Sequence, residues 1–349
     1  LALDPNFDEN QYVYVYYTKK FAPFPKDFLS EKFNRLSRFT EIDNKLENEK
    51  ILIDKIPGSH THDGGRISFG PDGKLYATTG DIKIPELSQD LNSLAGKILR
   101  INSDGTIPED NPFENSPIFS YGHRNPQGLD WEKSTGKLVS TEHGPSGEYG
   151  WQGRDEINVI ESGKNYGWPN ISGDMSDDKY VSPLYQTGQE MTLAPSGASF
   201  YNSDKYPEWQ GKLFVATLAG KHLRILDLDL EKNIVKSNKI FLNDSFGRLR
   251  DVVEGPDANL YILTSNQDGR GIPALNDDRI LKIIPTFSNI SHNDDLLPPL
   301  KQIKSGILPH NVLCKYNFEL LIKSTSGMPA CVTPNTALKL VEFGWGNFP

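Results

Sequence analysis

Polar turns followed by short runs of alternating apolar residues organise most of this chain. One pattern recurs: turn residues, then a strand rich in β-branched and aromatic side chains, often closed by threonine. It runs from Asp8 to Thr18 and returns from Pro71 to Asp81. Further copies span Ser134–Thr141, Trp209–Thr217 and Gly255–Thr264. Alternation with period two puts successive side chains on opposite faces of a strand, and the flanking Asp, Asn, Gly and Pro residues supply the turns. The first 285 residues therefore read as all-β. Copies spaced at about blade length, roughly 40–45 residues, predict a β-propeller of about six blades. Irregular spacing predicts long loops between some blades. A β-sandwich or β-helix is the competing architecture.

The pattern breaks after Pro285. Residues 286–300 read as a polar linker, and 301–349 as a small separate module with a short helix at Thr336–Glu342. That module holds both cysteines of the chain, Cys314 and Cys331. They read either as two separate thiols or as a disulfide, which would place the chain in an oxidising compartment.

Composition narrows the functions. The chain has 349 residues, 30 glycines, 24 prolines and a net charge of −9. That balance argues against nucleic-acid binding. No apolar window is long enough for a transmembrane helix. The first residues, Leu1 to Pro5, start inside a strand-turn unit without Met. The chain is thus expected to be N-terminally truncated, with any signal segment upstream.

Several segments carry candidate chemistry. His62 precedes Gly64-Gly65 at a strand start, and a histidine there suits proton transfer near neutral pH. Gly122-His123-Arg124-Asn125-Pro126 offers a guanidinium for an oxyanion or carboxylate, or one that braces a loop carbonyl. Glu142-His143-Gly144-Pro145, with Asp155-Glu156 and Asn165-Tyr166, suits calcium through oxygen ligands, or is an acidic surface loop. Arg248 and Arg250 alternate onto one strand face. They flank an anion there, or each pairs with an acid. Thr192 lies in a turn-rich run and can donate to a ligand. A phosphate loop and a Gly-x-Ser-x-Gly elbow are both missing. His60 and His62 lack an evident third zinc ligand.

Together, His62-Asp63-Gly64-Gly65-Arg66, Gly122–Gly128, Glu142–Pro145, Asp155–Asn158, Asn165–Pro169, Ser199–Pro207 and Arg248–Asp251 resemble the soluble sugar dehydrogenases that use pyrroloquinoline quinone (PQQ), the glucose/sorbosone dehydrogenase family, in its aldose sugar dehydrogenase branch. The resemblance implies a six-bladed β-propeller that oxidises aldoses at the anomeric carbon to lactones and passes electrons to an external acceptor. His62 would be the general base and Arg124 the group stabilising the oxyanion. Asn125, Thr192, Arg248 and Arg250 would hold the quinone. Backbone oxygens of Gly144 and Pro145 would bind calcium, and Glu156 and Tyr166 would surround a second, structural calcium. It also implies export from the cytosol. Ala219 replaces a lysine of some members, and Lys221 is the nearest substitute. Thr61 replaces the acidic neighbour of glucose-specific members. Gly147 to Arg154 form a small insertion, and the family's first segment, with its glutamine, lies upstream of Leu1. Two other functions stay open: a propeller without cofactor that binds a protein or glycan, and a calcium-dependent lactonase.

Overall fold

The computed structural model describes residues 1–20, 32–284, 297–314 and 318–348. The chain divides into two compact units, Leu1–Ile284 and Pro285–Pro349.

The first unit is built from sheets whose strands follow one another along the chain. The first sheet holds β1 (Ala2–Leu3), β2 (Tyr12–Lys20), β3 (Lys32–Ile42) and β4 (Lys45–Gly58). A short helix, α1 (Phe7–Asn10), joins its first two strands. The second holds β5 (Ile67–Phe69), β6 (Leu75–Thr78), β7 (Lys97–Ile101) and β8 (Ile118–Tyr121). The third comprises β9 (Pro126–Trp131), β10 (Leu138–Glu142), β11 (Glu156–Ile160) and β12 (Tyr185–Gln186). The fourth comprises β13 (Pro195–Phe200), β14 (Leu213–Thr217), β15 (Leu223–Asp229) and β16 (Ile234–Phe241). The fifth has β17 (Leu249–Glu254), β18 (Leu260–Thr264) and β19 (Ile280–Ile283). Every pairing is antiparallel, which short turns between consecutive strands permit.

Each repeated segment in the sequence proves to be the second strand of its own sheet: β2, β6, β10, β14 and β18. Three of these, β6, β10 and β14, are buried along their whole length, because a neighbouring sheet covers each face. One cluster around Leu36, Leu75 and Leu99 joins the first two sheets. A second, around Tyr76, Leu129 and Leu138, joins the second and third. Val139, Phe200 and Leu213 belong to the next, and Phe214, Leu249 and Leu260 to the last. Removing that apolar surface from water, at about 25 cal/mol per Å², drives the stacking. The outer strands β4 and β16 are mostly exposed and polar.

The threonines that close the repeat also have a physical role. Thr141 Oγ1 donates to Ser196 O at 2.6 Å, and Thr217 Oγ1 to His222 O at 2.6 Å. Thr79 Oγ1 donates to Leu94 O at 2.6 Å. These bonds satisfy buried carbonyls where a strand turns into its loop.

The arrangement is propeller-like. Among the described residues of this unit there are five such sheets. Long loops, such as those at 102–117, 161–184 and 265–279, give the repeats their irregular spacing. The innermost strands β5, β9, β13 and β17 pack against one another in order.

The second unit contains the three-stranded sheet β21-β20-β22, formed by β20 (Glu319–Lys323), β21 (Pro329–Val332) and β22 (Gly346–Asn347). Two helices, α2 (Pro299–Lys304) and α3 (Pro334–Glu342), accompany it. Leu321 and Ala337 are fully buried. Most of the polar run at 286–300 lies outside the described residues. Cys314 and Cys331 are bonded to each other, 17 residues apart. A unit this small buries little apolar surface, so the cross-link matters to it. Replacing both cysteines by serine is expected to remove about 3 kcal/mol from this unit alone. Hydrogen exchange on the full chain should show faster exchange in β20 and β21 and unchanged protection in β6, β10 and β14.

Candidate active site

The ends of the innermost strands deliver charged side chains to one cleft of about 470 Å³. His62 stands before β5, Arg124 and Asn125 stand before β9, and Arg248 and Arg250 stand at the start of β17. All five line the cleft, with Lys83 and Arg270 beside them.

His62 has a positive φ of 62°. Its turn sits against Gly80, where a Cβ would come within 1.9 Å of His62 O, so only glycine fits. The imidazole is held at both nitrogens. Nδ1 is 2.7 Å from Asp81 Oδ1, and Nε2 is 3.2 Å from Arg124 Nη2. Asp81 is itself buried and accepts from Trp168 Nε1 at 2.9 Å and from Lys83 N at 2.9 Å. A carboxylate accepts, so this network places the proton on Nδ1 and leaves the Nε2 lone pair facing the cleft.

Arg124 and Asn125 are fixed by Glu142, at the end of β10. The Glu142 carboxylate accepts from Arg124 N, from Asn125 N at 3.3 Å, and from His123 Nδ1 at 3.0 Å. His123 also contacts Ser120 Oγ at 2.8 Å and stacks on Tyr166. The Arg124 guanidinium donates to His143 O at 3.1 Å and to Glu148 Oε1 at 2.8 Å, and lies over the Trp168 ring. Its Nε is buried without a partner. His143 lies beside it, half-buried. Burial, with the charges of Arg124 and Arg250, pushes the His143 pKa down to about 3, so this ring is neutral.

Across the cleft, Arg248 and Arg250 share one carboxylate. Asp268 Oδ2 is 2.9 Å from Arg248 Nη2 and 3.6 Å from Arg250 Nη2. Burial, together with the nearby Arg248 and Arg66 charges, lowers the Arg250 pKa. That is the sign of guanidiniums crowded together with too few anions.

Two expected cradle residues stand apart from this lining. Thr192 is exposed in the loop before β13. Lys221 turns at a φ of 53° and places Nζ 3.5 Å from Asp244, with nearly half its side chain exposed. The family resemblance implied both at the cofactor, and neither is among the residues that line this cleft.

The Gly144-Pro145 turn is buried. Gly144 N donates to Asp155 Oδ1 at 2.9 Å, and a Cβ at Gly144 would meet Gly153 O at 1.9 Å. Behind it, Glu142 and Glu156 face a closed cavity of about 10 Å³, room for one particle the size of water. Burial, then the Glu142 charge, raises the Glu156 pKa. Asn158 Nδ2 donates to Glu156 Oε2 at 3.0 Å and to Glu142 Oε2 at 3.5 Å. The two carboxylates are hard donors of the kind calcium takes, and the Arg124 guanidinium lines the same cavity. The Tyr166 hydroxyl is used by Val159 O at 2.6 Å and Glu161 N at 2.9 Å, so only its backbone could serve as a ligand. Among the described residues, no group of three or more His, Cys, Asp or Glu is arranged to hold a metal.

Sequence reasoning missed Asp81, His143, Glu148, Trp168 and Asp268. An acid directly after a strand-closing Thr-Thr-Gly was the available signal for Asp81. Asp268 sits in a long loop that has no periodic pattern.

Lys97, in β7, anchors the loop that carries Asp81 and Lys83. It is fully buried, and Nζ donates to Leu87 O, Ser88 O and Ala95 O at 2.8, 3.0 and 2.6 Å. Burial lowers its pKa to about 7. The unfolded chain keeps this proton up to about 10.4, so it binds more protons than the folded chain between those values. Stability is therefore expected to rise from pH 7 toward pH 10, by at most about 1.4 kcal/mol per pH unit. Urea titrations at pH 7 and pH 9 should show the gain, and Lys97→Met should lack it.

The glucose / sorbosone dehydrogenase family model matches residues 1–277. The aldose sugar dehydrogenase YliI of Escherichia coli is 34% identical over 287 residues, covering 77% of this chain and 74% of that protein. Quinoprotein glucose dehydrogenase B of Acinetobacter calcoaceticus is 35% identical over 246 residues, 62% of this chain and 50% of that protein. The structure of the PQQ-bound aldose sugar dehydrogenase from Streptomyces coelicolor matches with a TM-score of 0.68 and 35% identity, covering 80% of this chain and 77% of that one.

Proposed function

The chain belongs to the glucose/sorbosone dehydrogenase family, a family of oxidoreductases, and on that premise we propose that it oxidises aldose sugars at the anomeric carbon to lactones with PQQ and calcium. The observation that carries the reading is the His62–Asp81 pair set against Arg124 in a cleft with two further arginines. When bound, PQQ supplies the two-electron acceptor for the hydride of the sugar.

The residues divide the work. His62 Nε2 takes the proton of the anomeric hydroxyl, and Asp81 holds Nδ1–H and stabilises the imidazolium. The fixed Arg124 guanidinium offers positive charge where negative charge develops, in a partly dry site where it acts strongly. Arg248 and Arg250 hold carboxylates, which accounts for two guanidiniums crowded around one aspartate. Asn125 orients the quinone. Thr192 and Lys221 do not take part in this cradle. The carbonyls of Gly144 and Pro145 would hold a quinone-side calcium, which would supply Lewis-acid polarisation of the cofactor, and Glu156, with Glu142 and the Tyr166 backbone, would hold a second, structural one.

We read the five sheets as blades of a six-bladed ring, on the strength of the family resemblance. The bonded cysteines support a compartment outside the cytosol. Among the described residues no helix is long and apolar enough to cross a membrane. Electrons leave to an external acceptor.

Dye-linked oxidation of an aldose panel by the apo-protein tests this. Turnover should require both PQQ and calcium, vanish with a chelator, and fall about 10³-fold in His62→Ala. Arg248→Ala should weaken PQQ binding, followed by its visible absorbance. No PQQ binding together with no oxidation would move the weight to a binding propeller, and lactone hydrolysis with calcium alone to a lactonase.

A further inference from the structure

The insertion between the Gly144-Pro145 turn and Asp155 is folded, and it reaches into the cleft. Gly147 N donates to Trp151 O at 2.8 Å, and Ser146 pairs with Gln152. Tyr149 and Trp151 pack on Trp168, the residue that holds Asp81. Tyr149 OH donates to Glu86 Oε1 at 3.0 Å. These contacts fix Glu148 beside the reactive pair. Its Oε1 accepts from Arg124 Nη2 at 2.8 Å, the same nitrogen that stands 3.2 Å from His62 Nε2. Its Oε2 accepts from Ser146 N at 2.6 Å.

The other carboxylates of the cleft lining are engaged elsewhere. Asp63 accepts from Asn34 Nδ2 at 2.9 Å and from Ser59 N at 2.8 Å. Asp268 is held by Arg248 and Arg250. Glu148 is the cleft carboxylate that shares Arg124 Nη2 with His62 Nε2, and about a quarter of its side chain is open to solvent. Each carboxylate oxygen has a second acceptor site left after the bonds above. Burial would raise its pKa, but the Ser146 N–H and the Arg124 charge overcome that and hold it at about 2, so it stays ionised at any working pH.

We propose that Glu148 is a specificity-determining residue: it accepts hydroxyls of a neutral aldose and disfavours sugars that carry a carboxylate. The inference rests on the sugar-oxidation reading of the cleft. Without Glu148 the lining is strongly cationic and would draw uronic acids in. With it, an acidic sugar bound next to His62 meets a fixed negative charge within one sugar ring.

The test is equilibrium binding of glucose and glucuronate to the full chain, by calorimetry, with and without PQQ. The wild-type protein should favour glucose by about tenfold, since a like charge a few ångströms away in a partly solvated site is worth about that much. Added salt should shrink the preference. Glu148→Gln should remove it, and Glu148→Asp, which keeps the charge, should retain it. Equal binding of the two sugars by the wild type, no binding of either, or a preference unchanged in Glu148→Gln would overturn the inference. A preference that behaves as expected without any glucose oxidation would leave the inference standing and sink the dehydrogenase reading.

Discussion

The convergence of the innermost strands on one axis is the constraint from which the rest follows. Arg66, just before β5, places Nη1 2.7 Å from Asp251 Oδ2 in β17, across 185 residues of sequence. The same guanidinium donates through Nε to Gln127 O in β9 at 3.1 Å. Asp251 in turn sits against Gly197 of β13, where a Cβ would come within 1.7 Å of its Oδ1. One ion pair thus touches four innermost strands. Both side chains are about a quarter exposed, so the pair contributes modestly to stability. Its larger effect is on register, because it fixes which strand ends face the cleft.

That geometry explains why the chemistry sits in loops at strand ends rather than within strands. Strand interiors here hold mostly apolar side chains and satisfied threonines, and the buried Arg100 of β7 is paired with Asp72 and Asp110. A charge placed there without such partners would lack water as well. At the ends, the backbone leaves the sheet and charged groups can be held by one another. Glu142 shows how tightly. It lies at the last position of a buried strand and receives two backbone N–H groups and an imidazole. The functional guanidinium is therefore positioned through its own backbone, which leaves its side chain free to face the cleft.

The sequence made part of this legible for a physical reason. Alternation and turn residues report burial, and the five repeats that carried that signal are the five second strands, three of them buried along their whole length. Outer strands such as β4 face solvent, and their pattern is weak. His62, Arg124, Arg248 and Arg250 were legible because they stand next to glycines or alternate at a strand start. Asp81, Glu148 and Asp268 were not, since each acts by reaching a residue far away in sequence, and no local pattern encodes a partner. Thr192 and Lys221 were named by resemblance rather than by pattern, and the positive φ at Lys221 cannot be read from a lysine.

The cleft then joins two kinds of element with different freedom. His62, Arg124 and Arg248 are tied to strand ends, and any shift of them would disturb the stacked core behind. The 146–153 segment is tied mainly to Trp168 and Glu86 by ring packing and one hydroxyl bond. Its backbone includes Gly147, Gly150 and Gly153 at positive φ, and Tyr149 also at a φ of 54°, so it turns sharply without support from a sheet. Residues there can change in length and charge at little cost to the fold. On the proposed reading, proton transfer falls to the rigid part and charge preference to the part that is free to vary. A loop placed this way can retune which sugars enter while His62, Asp81 and Arg124 keep their places.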